Sequence, residues 1–254
     1  MARILVTGST DGVGRNAAQA LIAQGHEVVL HARNVDRAET LADIADRASG
    51  VVTGDLASLA ETRMLAEQIN DIGQMDAIIH NAGLMDGSRE ITGDGLLRVL
   101  MVNALAPYML SILVARPARL IFTGSSMHFG HDAVLGDMEW KQRSWSGSNA
   151  YGESKLLVSA LSAALARHWP ETLCNNVDPG WVPTKMGGRS ASDDLQQAHV
   201  TQCWLAISDE EDAKVSGGYW HHMRRLRPDP KVEDEVFQET ILASFARMTG
   251  VTFQ

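Results

Sequence analysis

Cysteine is scarce in this chain of 254 residues: there are two, Cys174 and Cys203, with no CxxC pair and no Cys/His cluster at metal-ligand spacing. That excludes a disulfide framework and a zinc module, and it predicts two buried apolar fillers. Positive charge is short as well, 22 Lys and Arg against 31 Asp and Glu, for a formal net charge of -9. Binding along a nucleic-acid backbone draws on clustered Lys and Arg, so DNA and RNA are not expected partners. No apolar run approaches the length of a membrane span, and no charged-then-apolar leader precedes Arg3. A cytoplasmic protein without membrane contact is the expectation.

What is present is an ordinary globular balance, 45% apolar and 21% charged, in a chain long enough to bury one large core as a single domain over residues 1–254. Apolar runs alternate with helical periodicity. Strands are predicted at 3–7, 26–31, 50–53, 75–80, 119–122, 172–177 and 218–221. Helices are predicted at 15–24, 35–47, 58–70, 96–114, 151–168, 192–207 and 233–248. Ser58 and Glu61 have the spacing of a capping box. This alternation implies an α/β fold, a single Rossmann-type doubly wound parallel sheet with helices on both faces. Residues 127–149 have no clear periodicity, and so long a connection predicts a substrate-facing loop, as does the segment 184–192.

Thr7-Gly8-Ser9-Thr10-Asp11-Gly12-Val13-Gly14 sits between the first strand and first helix. There, backbone N–H groups and the positive helix end can receive a pyrophosphate. After the second strand comes Arg33 with no carboxylate beside it. An acidic residue at that place accepts from a ribose 2'-hydroxyl and an Arg pairs with a 2'-phosphate, so NADP(H) is favoured over NAD(H). Tyr151 and Lys155 stand four apart at the start of a predicted helix, on one face. An ammonium beside a tyrosine favours its phenolate, so Lys155 is expected to bring Tyr151 down from its ordinary range near 10.

The full set of motifs resembles the classical short-chain dehydrogenase/reductase family over about residues 2–221. It comprises TGxxxGxG at Thr7 to Gly14, Asp55-Leu56, Asn81-Ala82-Gly83, Asn103, Ser125-Ser126, Tyr151 with Lys155, and Pro179-Gly180 with Thr184. Ser126 stands 25 residues before Tyr151, a spacer like that of the retinol-dehydrogenase-like and NADPH-dependent carbonyl-reductase branch. The resemblance implies hydride transfer between nicotinamide and a ketone, aldehyde or alcohol. Tyr151 would be general acid or base, Lys155 its partner, Ser126 the hydroxyl on the substrate oxygen, Ser125 a structural residue, and Asn103 the support of a water on the lysine. It also implies cofactor contacts from Gly8, Asp11, Gly12, Val13, Gly14, Arg33, Asp55, Leu56, Asn81, Ala82, Gly83, Tyr151, Lys155, Pro179, Gly180, Val182 and Thr184. No metal is implied, and His128, His131, His221 and His222 have no helpful third ligand.

Small residues Ser159, Ala160, Ala163 and Ala164 suit close helix packing, and members of the family commonly pair through this helix and the Asn103 helix. A homodimer or homotetramer is therefore expected, or else the same surface faces the chain's own core. Trp140, Trp145, Trp181, Met127, Met138 and Met186 flank the presumed pocket and suit a bulky apolar substrate or ordinary loop packing. The rival reading from another class is a non-catalytic NADP-binding sensor or scaffold. A third, nucleotide-sugar epimerisation on an extended fold, fits neither the glycine spacing nor the short tail after Lys155.

Overall fold

In the computed structural model, which describes residues 1–253, short apolar segments form strands because both of their faces are covered. RILV, AIIH and RLIFT have almost no polar alternation, as strands buried on both sides require. The order is β1 (Arg3–Val6), α1 (Gly12–Ala23), β2 (Glu27–Ala32), α2 (Val35–Ala38), α3 (Ala42–Ala45), β3 (Gly50–Thr53), α4 (Leu59–Ile72), β4 (Ala77–His80) and α5 (Arg98–Leu100). A π-helical segment, Met101–Leu105, continues α5 into α6 (Ala106–Leu113). Then follow β5 (Arg119–Thr123), α7 (Gly147–His168), β6 (Leu173–Asp178), α8 (Val200–Ile207), β7 (Gly218–His221), β8 (Arg224–Leu226) and α9 (Glu235–Thr249).

The eight strands make one sheet in the order β3-β2-β1-β4-β5-β6-β7-β8, parallel throughout except for β7 against β8. Two apolar clusters cover its faces, one built with α4, α6, α7 and α9, the other with α1, α3 and α8. The sheet is thus doubly wound, and its strand order reverses between β1 and β4. Ligands of open α/β sheets bind outside the carboxyl ends at that place.

Local differences from the sequence reading have local causes. The helix expected over 35–47 is broken into short turns, where Arg15 donates to the Thr40 carbonyl and pairs with Asp43. Of the helix expected over 192–207, only Val200–Ile207 forms. Asp194 accepts from the Gln196 N–H at 2.8 Å and Asp193 from the Trp181 N–H at 2.7 Å, which gives the chain alternatives to helical bonding. The Ser58 cap forms, its hydroxyl accepting from the Glu61 N–H, but the Glu61 carboxylate turns to the Asp55 N–H at 2.8 Å instead of closing the box. β8 is a charged, exposed edge strand that no periodicity announces.

The small-residue surface of α7 faces the chain's own interior. Residues 150–162 of α7 and 99–111 of the Asn103 helix are buried throughout. Phe237, Ile241, Leu242 and Phe245 of α9 belong to the apolar cluster that covers them. Tyr108 packs edge-on against Phe245, and its hydroxyl donates to the Val251 carbonyl at 2.7 Å. Among the described residues, no helix is long and apolar enough to cross a membrane.

Candidate active site

The glycine turn is held by the segments around it. Asp11 caps α1, its carboxylate accepting from the Gly12 N–H at 2.8 Å. Gly14 has no room for a side chain: a Cβ there would lie 2.3 Å from Asn81 Nδ2 and 2.4 Å from the Gly8 carbonyl. Asn81 donates to the Thr7 carbonyl and Thr7 Oγ1 accepts from the Ala82 N–H, each at 3.0 Å. The Asn81-Ala82-Gly83 segment therefore locks the turn beside it. On the other side His31 Nδ1 accepts from the Gly8 N–H at 3.0 Å, so its proton sits on Nε2 and points to the Gly54 carbonyl at 2.9 Å. Burial keeps this imidazole neutral, pushing its pKa down.

Charges gather at the same end. Arg33 follows β2 and is exposed. Arg37, one turn further, donates to Thr10 Oγ1 at 3.0 Å and lies 4.0 Å from Asp11. Lys185, from the distant segment after Thr184, pairs with Asp11 at 2.5 Å and holds its carboxyl below the usual range. Asp55 accepts from the Ala57 N–H at 2.9 Å, and Leu56 is buried next to it.

At the other end Ser146 caps α7, which puts Tyr151 and Lys155 in its first turns. Lys155 Nζ lies 5.5 Å from the centre of the Tyr151 ring and donates to the Thr123 carbonyl at 2.7 Å. The expected lowering of the phenol is not found. Burial pushes Tyr151 up to about 12, against a favourable hydrogen bond from Ser125, with the Asp178 charge also raising it. Lys155 is buried with it and is itself lowered to about 8. Desolvation is the largest cause for both groups.

Both serines line the cavity, and Ser125, expected to be structural, is the one whose side chain bears on the ionisation of Tyr151. Ser125 Oγ accepts from the Met127 N–H at 3.2 Å, which leaves its own proton for the tyrosine oxygen. Ser126 is exposed, and its N–H donates to Asp178 at 2.8 Å. Asn103 lies in the π-helical segment with its amide fully engaged. Oδ1 accepts from the Leu84 N–H at 2.8 Å, and Nδ2 donates to the Leu84 carbonyl and Ser154 Oγ, each at 2.9 Å. Its side chain ties the segment after β4 to α7. A Cβ at Gly83 would meet both Asn103 Oδ1 and Lys155 Nζ at 3.4 Å, so both face that glycine where a side chain would stand.

A cavity of about 730 Å³ joins the two ends. It is lined by every residue expected to bind cofactor or take part in catalysis except Gly14 and Asn103, which stand behind the lining. Of the loop 127–149, Met127 alone reaches the cavity. Its middle is stapled to α7, where Arg143 bridges Asp137 and Glu153 and covers the Trp140 ring at 3.9 Å. The second loop contributes more, through Thr184, Lys185, Met186 and Gly187. Sequence reasoning gave Ser125 a structural role and passed over Arg37, His31 and Asp178. Asp178 had a legible signal, a carboxylate at the carboxyl end of a strand before Pro179-Gly180; the others depend on side-chain direction. Among the described residues, no group of three or more His, Cys, Asp or Glu could hold a metal ion.

Residues 8–209 match the family model described as Enoyl-(Acyl carrier protein) reductase. The chain is 41% identical over 255 residues to short-chain dehydrogenase chyC of Penicillium rubens, a match covering 99% of this chain and 98% of that protein. It is 27% identical to retinol dehydrogenase 13 of Homo sapiens, over 98% of this chain and 84% of that one. Among solved structures, an NADPH-bound carbonyl reductase from chicken fatty liver has the same fold, with a TM-score of 0.68 at 21% identity, covering 89% of this chain and 98% of that one. With a doubly wound sheet, a glycine turn locked by Asn81 and a paired tyrosine and lysine at the strand ends, this chain belongs to the classical short-chain dehydrogenase/reductases, a family of NAD(P)-dependent oxidoreductases.

Proposed function

We propose that the chain uses NADP(H) to interconvert an uncharged, apolar ketone or aldehyde and its alcohol, with Tyr151 as proton donor in reduction and acceptor in oxidation. The observation that carries this reading is Tyr151 beside Lys155, in one cavity with Ser125 and the glycine turn. The cavity fits the nucleotide: the α1 N-terminus and glycine turn suit the pyrophosphate, Asp55 and Leu56 the adenine, and Arg33 and Arg37 a 2'-phosphate. Lys155 would hold the nicotinamide ribose, and residues Pro179 to Thr184 the carboxamide. When bound, the nicotinamide supplies or accepts the hydride.

The chain's own residues account for the proton and the orientation. A phenol held near 12 is protonated at neutral pH, so it is ready to donate to a carbonyl oxygen. The Ser125 hydroxyl shares that position and can stabilise charge that grows on the substrate oxygen. Lys155, at about 8, is still charged at pH 7 and adds a positive field beside the phenol. The cavity also has apolar lining, with Leu84, Met85, Val102, Met127, Trp181 and Met186. Of these, Trp181 and Met186 are 54% and 45% exposed, a cost in water that an apolar substrate would relieve.

The test is fluorescence titration with NADPH and NADH, then a panel of aromatic and aliphatic ketones, aldehydes and an enoyl thioester followed by loss of reduced-nicotinamide absorbance. NADPH binding in both the parent and Tyr151→Phe, with carbonyl turnover in the parent alone, is expected. Binding without turnover anywhere on the panel would favour a sensor instead.

A further inference from the structure

Asp178 ends β6 inside the cavity wall, only 5% exposed, and it gathers donors from three separate segments. Its Oδ2 accepts from the Ser126 N–H at 2.8 Å and the Tyr219 hydroxyl at 3.2 Å, and its Oδ1 accepts from the Gly180 N–H at 2.9 Å. The serine turn after β5, the Pro-Gly turn after β6 and strand β7 thus meet on one carboxylate.

His128 completes the arrangement. Its Nε2 accepts from the Asp229 N–H at 3.0 Å, so Nδ1 bears the proton and donates to the Ser125 carbonyl at 2.7 Å. The Ser125 carbonyl and the Ser126 N–H belong to the same peptide unit. That plane is therefore gripped from both ends, by His128 on its oxygen and Asp178 on its nitrogen. Tyr219 braces the pair, packing edge-on against the His128 ring at 4.8 Å while bonding Asp178. Fixing a peptide plane fixes where the preceding Cα and its side chain point, and the side chain here is that of Ser125.

We infer that Asp178 is a positioning residue, which orients Ser125 toward Tyr151 by holding the peptide between Ser125 and Ser126 and whose buried charge stands in the same cavity wall as Lys155, itself bound to the Thr123 carbonyl in register with Val177. The inference deepens the proposed reaction and rests on it for the role of Ser125. Several groups face this carboxylate: Tyr151 and Lys155 from α7, Tyr219 and His221 from β7, and His128 from the serine turn. The charge of Asp178 supports the Lys155 ammonium against burial and opposes ionisation of Tyr151. Removing it should therefore move both titrations to lower pH.

The deciding measurement is the titration of Lys155 by NMR of the 13C-labelled Cε, assigned by its loss in Lys155→Arg, in the parent and in Asp178→Asn. It needs no turnover. The midpoint is expected to fall by about 1 in Asp178→Asn; an unmoved midpoint overturns the inference. Steady-state carbonyl reduction should show kcat down at least about tenfold with the NADPH KM within about twofold, and the alkaline loss of activity at lower pH. A lower kcat on an unmoved pH profile would reduce Asp178 to a structural buttress and overturn the inference. Should Asp178→Asn fail to fold, Tyr219→Phe keeps the charge and removes a donor that shields it. Lys155 should then titrate at higher pH, and no movement or the opposite movement overturns the assignment. If the parent itself reduces no carbonyl, the proposed reaction fails, while the lysine titration still decides whether the Asp178 charge acts on Lys155.

Discussion

The Ser125 side chain accepts from the Met127 N–H at 3.2 Å in the cavity wall that also holds Tyr151, while Ser126, one residue on, is exposed and joins the network through its backbone N–H. Two serines adjacent in sequence are therefore expected to differ in their effect on the reaction. Ser125→Ala should lower kcat for carbonyl reduction by roughly 10²-fold or more, the range for loss of one hydroxyl or amide that stabilises a developing oxyanion. Ser126→Ala should stay within about twofold of the parent, as expected of an exposed side chain. Steady-state kinetics with NADPH held saturating check both, and a larger loss in Ser126→Ala than in Ser125→Ala would reverse the assignment.

Arg33 lines the cavity beside the glycine turn, and Arg37 is anchored next to it on Thr10, which also lines the cavity, so both are proposed to meet a 2'-phosphate. A hydrogen bond to a charged group is worth about 1.5–3 kcal/mol. Either arginine changed to alanine should thus weaken NADPH roughly tenfold to a hundredfold and leave NADH nearly unaffected. Nucleotide fluorescence titration gives both constants. Equal losses for the two nucleotides would show that the arginines act on the turn and not on the phosphate.

The glycine turn, Tyr151, Lys155 and the sheet itself were legible because each depends on local rules. Strands buried on both faces read as apolar runs, glycines occur where backbones touch, and a four-residue spacing puts two side chains on one helical face. What was illegible depends on direction. Which of Ser125 and Ser126 points to Tyr151 is decided by a peptide plane held by His128 and Asp178, far away in sequence. The ionisation of Tyr151 was misjudged for a related reason: spacing shows that an ammonium is near, but not that both groups are buried. Likewise the hold of Arg143, Asp137 and Trp140 on residues 127–149 is made by side chains and leaves no periodicity to read.

Acid should destabilise the fold earlier than its carboxylates require. His80 is buried against Phe122 with Nδ1 unpartnered, and burial lowers it from 6.5 to about 3; His31 and His128 are lowered too. A depressed folded value means that the unfolded chain takes up protons first. The stability these neutral imidazoles contribute is complete above 6.5 and is lost as pH falls from there toward their folded values. Each costs about 1.4 kcal/mol per pH unit within its window. Urea unfolding between pH 7.5 and 5 should show stability falling below about 6.5, with a shallower slope in His80→Asn. A flat response over that range would mean the imidazoles are hydrated.

Arg143 holds the long loop to the tyrosine helix through Glu153, whose carboxylate also accepts from the Trp140 indole at 3.1 Å. The Glu153 and Asp137 side chains are only 9% and 6% exposed. Arg143→Met would leave two nearly buried carboxylates without their cation, a change that costs about 3 kcal/mol. Hydrogen exchange should rise across 134–145 with little change in the sheet, and kcat should fall through the displaced start of α7. Unchanged exchange would show that Trp140 and Met138 hold the loop by packing alone.

The α7 face expected to pair two subunits packs against α9 of the same chain. Leu157, Leu161 and Leu165 of α7 and Tyr108 of α6 are buried in the cluster that also holds Phe237, Ile241 and Phe245 of α9, so a partner could reach that face only by displacing α9. Displacement would break the bond from Tyr108 to Val251 and those from Arg167 and His168 to Glu239, and would expose several large apolar side chains at roughly 1.5–3 kcal/mol each. Light scattering on the eluting protein is therefore expected to give the mass of one chain, 27.6 kDa. Phe245→Ala should cost about 3–5 kcal/mol and favour association by loosening the cover. A parent that elutes at twice the monomer mass would require a different interface, because this one is already occupied by the chain's own C-terminal helix.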